Sequence, residues 1–120
     1  MFQLYDFGYG EVPAHPHING GGMVANTTQI DEMVFVHKNA TIWDNAILSG
    51  NVKILDSAKV FGNTTISDSV IVSGTSEVSG YAKVSGNTQI LDNSKIRGLA
   101  ELTGGIFTKD TVIFGKSSEN

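Results

Sequence analysis

Three histidines are the residues of this chain best suited to acid–base or metal chemistry, and two of them, His15 and His17, flank a single proline. Alternate residues of a flat extended segment point the same way. His15 and His17 would then face one ion together, and imidazole suits iron, zinc or nickel. Repeated around a threefold axis, the pair would offer six imidazoles from three chains. The plainer reading, in which both are polar residues of a lead-in segment, is preferred, and no metal or other cofactor is assigned. His37 is the third histidine. As a catalytic base it would need a substrate cleft and an acidic orienting partner, for which Asp31, Glu32 and Asp56 are the candidates. Gly20-Gly21-Gly22 is not a phosphate loop, because no Gly-Lys-Ser/Thr follows it. It suits a chain that must pass close to another backbone. The absence of cysteine excludes disulfides, thiolate nucleophiles and cysteine metal sites.

The scaffold behind these residues is bounded by composition. The chain has 120 residues, 40% of them hydrophobic and 17% charged, with a formal net charge of −4. This supports one domain and is too apolar for a disordered chain. The negative balance and the lack of any basic run give no general attraction to nucleic acid or to an anionic membrane. The start, Met1-Phe2-Gln3-Leu4-Tyr5-Asp6, has neither the basic flank nor the apolar core of a secretion signal. No apolar run approaches the roughly 20 residues that span a bilayer.

Periodicity decides the architecture. Every sixth residue from Ile18 to Phe114 forms a series of 17, of which 16 are large and apolar. Composition alone would give about seven, so the period is structural. Thr108 is the exception, and the spacing predicts no interruption of the phase. A second series, four residues after each of these, is small or β-branched: Ala40, Ala46, Val52, Ala58, Thr64 and so on. Turn formers lie between the two, as in Asp44-Asn45, Gly50-Asn51, Gly62-Asn63, Gly86-Asn87 and Asp92-Asn93. A period of six is out of step with an α-helix. It predicts short strands joined by tight corners, three to a coil of 18 residues, with coils stacked about 4.8 Å apart. Large residues fill the interior and small ones the corners. The expected organisation is an N-terminal arm or cap at 1–17, a solenoid of about five triangular coils at 18–114, and a flexible tail at 115–120.

The units Val60-Phe61-Gly62-Asn63-Thr64-Thr65 and Val84-Ser85-Gly86-Asn87-Thr88-Gln89 resemble the hexapeptide repeats of left-handed parallel β-helix proteins. The placement of Gly two positions after the aliphatic residue, together with His17-Ile18-Asn19-Gly20-Gly21-Gly22-Met23-Val24, is similar to small members from phages and prophages. The resemblance covers about residues 15–114. It implies the left hand, a parallel homotrimer, and a host-cytoplasmic or virion location. Hexapeptide acyltransferases use a histidine in an inter-subunit cleft, which would be His37 here. They also carry protruding loops that this uninterrupted repeat lacks. The three-histidine zinc site of the carbonic anhydrase-like members has no counterpart in a coil with His37 alone. The His15-Pro16-His17 motif is similar to the iron-holding tips of phage spikes.

Outward positions flank each inward one. The face built on Ile30, Leu48, Ile66 and Val84 is mostly polar. The face built on Val36, Ile54, Val72 and Ile90 displays Phe35, Leu55, Ile71, Leu91 and Phe107, and the adjoining face adds Trp43 and Phe61. A set of large apolar groups outside a rod implies a cover. A homotrimer interface is the leading expectation, and a host or phage protein partner is the second. Packing of Trp43 and Phe61 against the aromatic-rich arm is the simplest alternative. The expected function is therefore a non-enzymatic structural or binding protein that acts by protein–protein recognition, as a tail component or an inhibitor of a host protein. Acyl transfer at His37 and small-ligand binding between subunits are the alternatives.

Overall fold

A computed structural model describes residues 3–115. The chain is all-β and winds into a solenoid with three flat faces, two of five strands and one of eight. Strands in successive coils are parallel and in register, so that Ile54, Val72 and Ile90 lie one above another. The interior is the set that the six-residue period selects. Val36, Ile42, Ile54, Val60, Ile66, Val72, Val78, Ile90 and Ile96 are all fully buried. All nine are β-branched, a shape that packs well on a pleated surface. Ala40, Ala46, Ala58, Ala82 and Ala100 are also fully buried, at the corners where the prism narrows. Ser76 and Ser94, buried in the same position, direct their hydroxyls to the Leu91 carbonyl at 3.1 and 2.9 Å.

The corners show one refinement. From Asp44 to Gly98, every sixth residue has a positive φ, between 56° and 79°. Each is Asp or Gly, never the Asn that follows. Asp tolerates this left-handed conformation, and its carboxylate is used there. Asp44 Oδ2 accepts a hydrogen bond from Gly62 N at 3.0 Å, Asp56 from Gly74 N at 2.9 Å and Asp68 from Gly86 N at 2.8 Å. Asp92 does the same for Lys109 N at 2.8 Å. A charged acceptor therefore clasps each of these corners to the coil above it.

The arm is part of the sheet system rather than a separate cap. β1 (Gln3–Asp6) and β2 (Glu11–Pro16) form an antiparallel hairpin, and β2 pairs antiparallel with β3 (Met23–Ala25), the first strand of the coil. Asp6 Oδ1 accepts from Gly8 N and Gly10 N at 2.7 and 3.1 Å, which closes the hairpin loop. The hairpin covers the strand edge that the first coil would expose on this face. On the Val36 face, Gly22 N donates to Val36 O and Val36 N donates to Asn19 O, both at 3.0 Å. A Cβ at Gly20 or Gly22 would collide with the carbonyl of Val36 or His37, so the glycine run does pass hard against the first coil.

Two expectations are corrected. Ile18 is 77% exposed. The chain reverses between His17 and Gly22, with His17 N bonded to Gly22 O at 2.8 Å, and Ile18 falls in that turn. The coil starts at Met23, and His17 is buried in place of Ile18. At the other end the phase slips by one residue. Val84 pairs with Leu102, but Ile90 pairs with Phe107 and Ile96 with Ile113. The corner through Gly104-Gly105 is one residue short. Phe107, expected outside, therefore packs against the core, as does Ile113, while Thr108 and Phe114, expected inside, are exposed. Ile106, expected at a buried corner, is 65% exposed. Phe107 is half-buried, so Phe107→Ala is expected to lower stability by about half the roughly 3–5 kcal/mol of a fully buried Phe. Thr108→Ala is expected to be near neutral, and thermal unfolding of both variants checks the order. The expected tail at 115–120 falls, from residue 116 on, outside the described residues.

Candidate functional site

Each histidine is engaged within the chain. His17 Nε2 donates to the Val34 carbonyl oxygen at 2.8 Å in a buried bond, which puts the proton on Nε2 because the carbonyl can only accept. His15, exposed, meets Asn26 Oδ1 through Nδ1 at 2.6 Å. The two imidazoles thus take different partners in different strata of the fold rather than facing one ion. His37 is half-buried on the Val36 face, and its Nδ1 accepts from Asn39 N at 3.1 Å. That contact engages the lone pair a general base would use. Among the described residues, neither Asp31, Glu32 nor Asp56 hydrogen-bonds His37, and no three His, Cys, Asp or Glu side chains converge as a metal site would require.

The molecule's densest aromatic grouping lies where the hairpin meets the first coils. Trp43 follows inward Ile42, so its ring projects outward, and Phe61 does the same one coil on. Their ring centroids are 4.4 Å apart and the planes differ by 3°. Phe7, from the hairpin loop, stacks on Trp43 at 5.2 Å and 17°, and Tyr5 packs on Phe7 at 4.6 Å. Aromatic pairs of this kind contribute about 0.5–1.5 kcal/mol each beyond area burial. Trp43 is consequently 6% exposed. Its indole N–H is buried without an acceptor. Trp43 packs against Phe7 of the arm, and Phe61 stacks on the other side of Trp43.

Beside this stack is a cavity of about 300 Å³, bounded by the hairpin and by corner residues of the first coils. Phe7, Tyr9 and Trp43 supply its aromatic wall, and Asn26, Asp44 and Asn45 supply polar groups. Sequence reasoning did not single out Tyr9, Asn26 or Asp44 as site residues. The available signal was the aromatic density of residues 2–9 combined with a lone tryptophan on an outer position.

The Val36 face carries the remaining site residues. Phe35, Leu55, Ile71 and Leu91 are half-buried on its outer side, with Lys53 between Phe35 and Ile71 in one column and Ser73 between Leu55 and Leu91 in the other. Ile106, brought onto this face by the phase slip, continues the first column in place of Phe107. Comparison with known protein families, with curated proteins and with solved structures found no match.

Proposed function

We propose that this chain is a non-enzymatic binding protein, a rigid β-solenoid that assembles as a homotrimer and acts by protein–protein recognition. The observation that carries the reading is the outer side of the Val36 face. Phe35 and Ile71 alternate with Lys53 and Gln89 in one column, and Leu55 and Leu91 alternate with His37 and Ser73 in the other, so four large apolar side chains share one rigid face, more than scattered surface hydrophobes give by default. The regular coil supports a recognition role, because among the described residues no loop of the solenoid projects to build a cleft. The engagement of all three histidines within the chain favours binding over acid–base catalysis. The resemblance to left-handed hexapeptide-repeat proteins of phages supports threefold assembly and a phage or host protein as the partner. Trp43, covered by Phe7 of its own chain, lies outside this surface, which is centred on the Val36 face.

Solution mass at low concentration tests the assembly. Three chains per particle are expected, falling to one in a Leu55→Glu/Ile71→Glu variant that keeps its β-sheet circular dichroism. A wild-type chain that stays monomeric across the micromolar range overturns the trimer. A trimer that persists in the variant overturns the assignment of this face.

A further inference from the structure

The cavity between the hairpin and the first coils is independent of the recognition face and has chemistry of its own. Its wall is aromatic, but two of the three rings are already occupied. Trp43 carries Phe7 and Phe61, and Phe7 also packs on Tyr5. Tyr9 is the exception. It lies 6.4 Å from Trp43, tilted by 42°, and is 80% exposed, so it holds a ring face open beside the cavity. The polar groups of its lining have partly used their capacity. Asp44 Oδ2 accepts from Gly62 N at 3.0 Å, leaving Oδ1 as an acceptor. Asn45 Nδ2 donates to Asn63 at 3.4 Å, leaving its carbonyl oxygen. Asn26 Oδ1 meets His15, leaving the amide N–H groups as donors.

We propose that this cavity binds a neutral saccharide, with one pyranose ring seated against Tyr9. Among the described residues no Lys or Arg lines it, so a phosphate or carboxylate ligand would face the Asp44 carboxylate without a counter-charge. A purely apolar ligand would leave the open oxygens of Asp44 and Asn45 and the Asn26 amide without partners, at a desolvation cost. Adjacent hydroxyls answer both needs, since each donates and accepts. The C–H side of a sugar ring supplies the apolar surface that lies on Tyr9. Aromatic wall plus a few placed polar groups is the usual make-up of a small-ligand site, and about 300 Å³ is at the small end of such sites, suited to a single ring. A free sugar and the end residue of a polysaccharide present the same ring.

The only tryptophan of the chain is in the cavity wall, so its fluorescence reports the site directly. The chain is titrated with the methyl glycosides of glucose, galactose, mannose and N-acetylglucosamine, with trisaccharides of each, and with tetramethylammonium chloride. A saturable change with at least one glycoside is expected. Tyr9→Ala should weaken it by about tenfold or more, equivalent to about 1.4 kcal/mol. Tyr9 is exposed, so this variant should keep the wild-type thermal midpoint. Tyr81→Ala, an exposed tyrosine on a later coil, should bind as wild type. Tighter binding of a trisaccharide assigns the site to a polymer-borne sugar, and equal binding assigns it to a free one. The proposal is overturned by no saturable response to any glycoside, by binding that Tyr9→Ala leaves unchanged, or by a response to tetramethylammonium alone.

Discussion

Ile54→Ala is expected to remove about 2–5 kcal/mol of stability, while Lys53→Ala, at the exposed position one residue earlier, removes less than about 1 kcal/mol. Ile54 is fully buried, flanked in its column by Val72 above and by Val36 below, on the last strand of that sheet. A truncation there opens a cavity that the stacked backbone cannot close, since the strands on either side are held in ladder register at a fixed spacing. The consequence exceeds that of an equal change at an end coil, because a solenoid is held together by contacts between adjacent repeats. A defect on the second strand of this face loosens the first coil from the rest, and total stabilities of domains this size are only about 5–15 kcal/mol. Urea unfolding followed by circular dichroism measures the difference. Equal losses in the two variants would be incompatible with a three-sided interior.

Gly74→Ala is expected to match or exceed that loss by a different route. Gly74 sits at a corner with φ of 70°, and an added Cβ would collide with the carbonyl oxygen of Asp92 in the coil above. A non-glycine residue forced into an unfavourable backbone region costs about 1–3 kcal/mol by itself. Here the collision comes on top, and it involves backbone that two ladders hold in place. Gly74 N also donates to Asp56 Oδ2 at 2.9 Å, so moving the corner loosens that clasp as well. Asp56→Asn makes the informative contrast. Asn tolerates the same backbone and keeps an oxygen for Gly74 N, so its loss should be under about 1 kcal/mol. Thermal unfolding of the two variants checks the ranking, and a Gly74→Ala chain as stable as wild type would contradict the close coil-to-coil approach at this corner.

The corners also show where residue patterns stop being informative. Asp and Asn adjoin at Asp44-Asn45 and Asp92-Asn93, and either type could take a left-handed turn on conformational grounds. The choice of Asp follows from a hydrogen-bond donor 17 or 18 residues away, which local composition does not reveal. The phase slip was hidden for a related reason. At Ile113-Phe114 both the straight count and the shortened one put a large side chain inside, and only the polar Thr108 stood against the straight count. The ladder pairings of Ile90 with Phe107 and of Ile96 with Ile113 decide for the shortened one. Ile18 satisfied the count but met a chain reversal set by contacts to Gly22 and Val36.

What the order of residues determined by itself was the solenoid: strand and corner alternate within six residues, so burial repeats at a spacing any single coil reveals. Tertiary structure alone decided the rest. The hairpin's antiparallel pairing with the first strand, the stacking of Phe7 on Trp43 and the cavity beside them join residues 3–16 to residues 23–45, which share no period. The physical reason is that repetition encodes contacts between equivalent positions, whereas a cap and a pocket are made where unlike segments meet, and their geometry depends on which surfaces happen to be left uncovered once the coil has formed.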